Sequence, residues 1–188
     1  MRVWNTVIEL GPRYGFFTNE IKFALLVHGE NRIHAKELFA NSVLKITTEG
    51  LKVLGSAIGQ EQFVNDFVIN RIDEWISTLS NLEQVAKEHP HVAFIVLTKS
   101  LQFRWTFVQR TTCSEDACYD RVSSFIFDRL VPTMIGVDSQ LASKYLLSLL
   151  LCCGGLGIVD LVAFVSKQYE WSLSICSHLQ NGLRMGIL

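Results

Sequence analysis

The chain carries no surplus of either charge: 17 Lys and Arg stand against 18 Asp and Glu in 188 residues, a formal net charge of -1. That excludes the global basic excess typical of dedicated nucleic-acid binders and leaves any such contact to a local patch. Cysteine is sparse in pattern as well as in number. The five, Cys113, Cys118, Cys152, Cys153 and Cys176, form no two C-x-x-C pairs, so the usual zinc sites are excluded. Arg2 and Trp4 lead into an amphipathic pattern, not the apolar run of a secretory leader, so reduced thiols in an intracellular protein are expected. Internal repeats and low-complexity linkers are missing too. What is there is apolar: 49% hydrophobic against 19% charged residues. That is too apolar for disorder and enough for one real core, or for a small subdomain beside a larger one.

Only Tyr145 to Val165, YLLSLLLCCGGLGIVDLVAFV, has the length of a membrane span. Asp160 and the glycines Gly154, Gly155 and Gly157 interrupt it, and no cluster of Lys or Arg flanks it. Two helices joined by a Gly-rich turn are expected, with a small membrane-anchored protein as the competing reading. Cys152 and Cys153 are then read as a reduced core pair rather than a palmitoylation site.

Periodicity divides the chain near Gly59. Before it, Val3, Val7, Ile8 and Leu10 recur at helical spacing until Gly11-Pro12. Ile21 to Val27 reads as a strand and His34 to Asn41 as a short helix. Val43 to Ile46 and Leu51 to Ile58 read as strands across a turn at Thr48 to Gly50. After it, Val64, Phe67, Val68, Ile72, Trp75, Ile76, Leu79 and Leu82 repeat at three and four residues. A second helix starts at Pro90 and runs to about Thr111. A third is capped by Ser114 and ends or kinks at Pro132 and Gly136, a fourth, capped by Asp138, runs from Ser139 to about Cys153, and a fifth from Val159 to about Leu179. The expected fold is therefore α+β and mostly α: a small antiparallel strand unit over 1–59, then a helical bundle over 60–188.

The second helix concentrates the candidate binding chemistry. No Asp or Glu occurs between Glu88 and Glu115, while His89, His91, Lys99, Arg104 and Arg110 do. On a regular helical wheel Lys99 and Arg110 share a polar arc with Gln102 and Thr106, suited to phosphate contacts. Arg104 falls between Leu97 and Val108 in the apolar arc, where a salt bridge or stacking on Trp105 or Phe103 is expected. His28 and His34, with Glu30 and Glu37, match no standard metal spacing and read as solvated surface. Trp75 and Trp171 read as core anchors.

Five segments in order carry a resemblance: GPRYGFFTNEIKFALLV at 11–27, VLKITTEGLKVLGSAIG at 43–59, FRWTFVQRT at 103–111, GGLGIV at 154–159, and Gln168-Tyr169. They resemble the palm end and thumb of the reverse transcriptases of mobile elements. There a G-P-K-Y-G-Y-F-P-N-x-S-K-T segment is followed by a strand-turn-strand ending L-G-x-x-I-G, then S-R-W-T-Y-x-x-R-T, L-G-G-L-G-I-x-N-P and A-x-x-Q-Y. Departures are visible. Thr18, Ile21 and Phe23 stand where Pro, Ser and Thr are expected, Cys152 or Cys153 where Arg is, and Asp160-Leu161 where Asn-Pro is.

The resemblance implies a thumb-like helical bundle and an RNA-directed DNA polymerase using Mg2+ or Mn2+. Its Y-A-D-D type turn should precede Gly11, where only ten residues stand. No cofactor is therefore expected for this chain alone, and no catalytic residue. By resemblance Lys22 lies near the incoming nucleotide, where a cation assists departing pyrophosphate. By the same resemblance the hairpin of Gly50, Gly55 and Gly59 is expected to touch the primer, glycine permitting close backbone approach. Expected partners are an RNA or DNA primer-template, bound weakly, and the fingers and palm of the polymerase. A stand-alone helical interaction module, or a nonfunctional remnant of such an element, is the reading from another class.

Overall fold

A computed structural model describes residues 2–17, 19, 23–40, 44–136 and 144–185. The chain is mostly helical with short strands, the α+β class expected. It divides into two compact units, Met1–Phe63 and Val64–Leu188.

The first unit opens with α1 (Arg2–Leu10) and one turn of 3-10 helix, Gly11–Tyr14, stopped by Gly15 at φ 77°. Strand β1 (Ala24–Leu26), helix α2 (Arg32–Leu38) and strands β2 (Lys45–Thr47), β3 (Gly50–Val53) and β4 (Ser56–Gly59) follow. The pairing corrects the expected turn. β2 does not fold back across Thr48 to Gly50; it lies parallel to β1, with Ala24 opposite Lys45. The antiparallel hairpin is β3 with β4, Gly50 opposite Gly59 and Val53 opposite Ser56. Its tip is Leu54-Gly55, both left-handed at φ 50° and 86°, which matches the twist of a two-residue hairpin turn.

The second unit is built on α3 (Glu61–Glu88), whose Phe67, Val68, Ile72, Trp75, Leu79, Leu82 and Ala86 are buried at the expected three-and-four spacing. Pro90 does open the next helix. It runs as α4 (Pro90–Val96), a wide π turn over Leu97–Leu101, and α5 (Gln102–Thr111). A second composite helix follows: a 3-10 turn Asp116–Tyr119, α6 (Asp120–Phe125), a π turn Ile126–Leu130 and α7 (Val131–Ile135), closed by Gly136 at φ 70°. Ser114 does not cap it; its hydroxyl lies 3.2 Å from the Tyr119 hydroxyl. Pro132 neither ends the helix nor breaks it. Proline has no N–H for the carbonyl four residues back, and the π turn just upstream absorbs that defect. Among the described residues the fourth helix, α8 (Lys144–Ser148), ends sooner than expected and is followed by a 3-10 turn Leu151–Cys153. Asp138, its expected cap, lies outside the described residues. The last helix, α9 (Leu161–Met185), is longer than expected.

The core centres on Trp75, Trp105 and Tyr119. Trp75 meets Trp105 edge to face at 6.1 Å and stacks on Tyr119 at 6.4 Å. Arg121–Asp73 (2.9 Å) and Arg129–Glu83 (2.7 Å) tie the second composite helix to α3 at the surface. Among the described residues no helix is long and apolar enough to cross a membrane. The run from Tyr145 to Val165 is broken by the Gly154–Gly157 turn.

Candidate nucleic-acid interface

The π turn decides which side chains of the Pro90–Thr111 helix reach the surface. A π turn holds an extra residue, so the face that α4 presents to the core is not continued at 3.6-residue spacing into α5. At its start the Thr98 hydroxyl donates to the Phe94 carbonyl at 2.8 Å. In α5 the buried side chains are Gln102, Trp105, Val108 and Gln109. Arg110, Phe103, Phe107, Thr111 and Arg104 then fall within an arc of about 120° on the opposite side, and all five are exposed. Lys99, in the π turn, is exposed as well.

Two expectations change with that phase. Arg104 does not sit among apolar neighbours; it is solvent-exposed at the edge of the free face. Gln102 leaves the polar arc and turns inward. Phe103 and Phe107 become surface residues, 65% and 44% exposed. The result is a stripe of three cations, Lys99, Arg104 and Arg110, interleaved with two aromatic rings. A shallow groove of about 310 Å³ lies beside Arg110 alone of the three, lined by Phe103, Thr106, Phe107, Arg110, Thr111 and Ser172 of α9.

Behind this face, two glutamines hold α5 to the loop that leads into α9. Gln102 accepts from the Val159 N–H at 2.6 Å and donates to the Gly157 carbonyl at 3.2 Å. Gln109 donates to the Leu161 carbonyl at 3.1 Å. The GGLGIV segment is shaped for that role. Gly154 and Gly157 are left-handed at φ 83° and 65°, and a Cβ on Gly155 would fall on the Leu149 carbonyl. Asp160 caps α9, accepting from the Val162 N–H at 3.2 Å while pairing with Lys144 at 3.0 Å. Sequence reading missed Gln102, Gln109 and Asp160. Asp160 was legible as a helix-start residue before an apolar run; nothing local marks the glutamines.

The other candidate residues are not gathered here. Lys22 lies outside the described residues. Gly55 is at the hairpin tip beside Leu54, which is 93% exposed. Gly50 and Gly59 have a packing reason to be glycine: a Cβ on Gly50 would fall on the Phe63 ring, and one on Gly59 on Gly50 itself. His28 borders a cleft of about 390 Å³ formed by 26–29, Thr48 and 58–60. His34 is exposed on α2. Among the described residues no three His, Cys, Asp or Glu side chains group as ion ligands.

Two further expectations are corrected. Trp171 is 53% exposed on α9 rather than a core anchor, because α9 buries Leu161 and Val165 while every side chain from Leu173 to Gln180 is exposed. Cys152 and Cys153 are exposed rather than buried together, since the turn carrying them faces solvent. Compared with protein-family models, curated proteins and solved structures, the chain matches none.

Proposed function

We propose that this chain is the palm-end and thumb part of a retroelement-type reverse transcriptase, and that its task is to hold nucleic acid through the free face of α5. One observation carries the reading. The acid-free helix from Pro90 to Thr111 puts Lys99, Arg104 and Arg110 on the surface with Phe103 and Phe107 between them. Guanidinium and ammonium groups hold phosphates, while exposed rings offer stacking surfaces to bases. The five ordered sequence segments supply the family. Polymerisation with Mg2+ or Mn2+ belongs, in this reading, to palm residues that hold the two ions.

The test is a salt titration of primer-template binding by the whole chain. Each phosphate contact contributes about 0.9 to the slope of log K against log salt, so Lys99→Ala/Arg110→Ala should flatten it by about two. Arg104→Ala should flatten it by about one more, with no change in melting temperature. Phe103→Ala and Phe107→Ala should weaken binding while leaving the slope unchanged. Wild type that binds neither duplex nor single strand at low salt sinks the proposal. One observation favours the second reading, a helical interaction module: Trp171, Leu173, Ile175 and Leu179 are each more than half exposed on α9.

A further inference from the structure

Cys152 and Cys153 close the single 3-10 turn Leu151–Cys153, and both are exposed. Successive residues of such a turn project about 120° apart, so their side chains ordinarily diverge. Here the two sulfur atoms converge to 3.8 Å. That separation has a chemical meaning, because two thiolates each about 2.3 Å from one tetrahedral ion lie about 3.8 Å apart. The backbone holds the turn without help from sulfur. The Cys153 N–H donates to the Leu150 carbonyl at 2.9 Å, the Gly154 N–H to Leu151 at 3.1 Å and the Gly155 N–H to Leu150 at 3.2 Å. Gly154 supplies the left-handed residue that ends it.

We propose that Cys152 and Cys153 form a vicinal dithiol site for a soft, thiophilic metal or metalloid centre. Hard cations prefer oxygen ligands, whereas polarisable centres select thiolates. Among the described residues no third His, Cys, Asp or Glu completes a cluster, so these residues offer two ligands. The occupant is a centre content with two protein thiolates, as a trivalent arsenical is. With phenylarsine oxide two As–S bonds form, and the oxygen leaves as water with the two thiol protons. Arsenic stays trivalent and nothing is oxidised. This site is independent of the α5 face and of any polymerase reading.

Phenylarsine oxide binding to the full chain tests it. Wild type should take up a single equivalent that resists excess monothiol and is released by a dithiol competitor. Cys152→Ser and Cys153→Ser should each weaken binding about a hundredfold, the gain a second ligand at high effective concentration gives. The triple variant Cys113→Ser/Cys118→Ser/Cys176→Ser should keep it, and circular dichroism should be unchanged throughout. Should a serine variant fail to fold, wild type decides: phenylarsine oxide should shield the Cys152-Cys153 peptide, and no other, from iodoacetamide. Monothiol-resistant binding that survives Cys153→Ser, or its absence from wild type, overturns the proposal.

Discussion

Tyr119 is fully buried against Trp75, and desolvation pushes its phenol up to about 12, with the hydrogen bond to Ser114 pulling the other way. The unfolded chain releases that proton near the ordinary value of about 10. Between those values the folded state holds a proton that the unfolded state has lost, so stability falls as pH rises. The slope is at most about 1.4 kcal/mol per pH unit, and the contribution is fully present below the unfolded pKa. Urea midpoints from pH 9 to 12 should fall more steeply for wild type than for Tyr119→Phe. Gln102 is the polar counterpart. Gln102→Leu strands the Val159 N–H and the Gly157 carbonyl, each costing about 1–3 kcal/mol if left unpaired. Gln102→Leu should thus lower the melting temperature far more than Gln84→Leu, whose amide only meets the exposed Lys87.

At the scale of elements, the π turn of Leu97–Leu101 sets the phase of α5 and so which groups meet solvent. Deleting Ser100, an exposed residue, would remove the extra residue and let α4 run into α5 at regular helical spacing with both buried faces kept. Deleting Thr106, inside the regular turns of α5, would instead rotate the residues after it by about 100°, turning Val108 out of the core and Arg110 toward it. Deletion of Thr106 should cost several times more stability than deletion of Ser100 in the same urea titration. Equal costs would show that the wide turn holds no extra residue. The start of α9 depends likewise on one residue. Asp160→Asn keeps a capping oxygen and loses the Lys144 pair, while Asp160→Ala loses both; the alanine should cost about 1 kcal/mol more.

For the whole molecule, the distribution of the core predicts which part folds alone. Among the described residues, nearly all the large buried apolar side chains, from Phe67 to Val165, belong to the second unit, whereas the buried apolar residues of the first are Ala35 and Ala57. A unit that buries little cannot offset its own chain entropy. Residues 60–188 expressed separately should keep a cooperative thermal transition close to that of the full chain. Residues 1–63 alone should show none.

The long helix α3 was written in its own residues. Val64 to Leu82 repeat at three and four, and that spacing specifies a buried face whatever packs against it. Pro90 and Gly136 mark helix ends for the same local reason, a fixed or a left-handed φ. The absence of acids from 89 to 114 is equally a property of the sequence, and so is the charge of the α5 region. Its phase is not. A regular wheel places Lys99 and Arg110 outward and Arg104 inward, yet one wide turn moves Arg104 out and Gln102 in. Nor could periodicity tell that Lys45–Thr47 would pair parallel with Ala24–Leu26, or that Trp171 would lie on the open length of α9. Each of these depends on which distant surface a side chain meets. Hydrophobic pattern fixes what an element can bury, and only packing against its neighbours decides what it does bury.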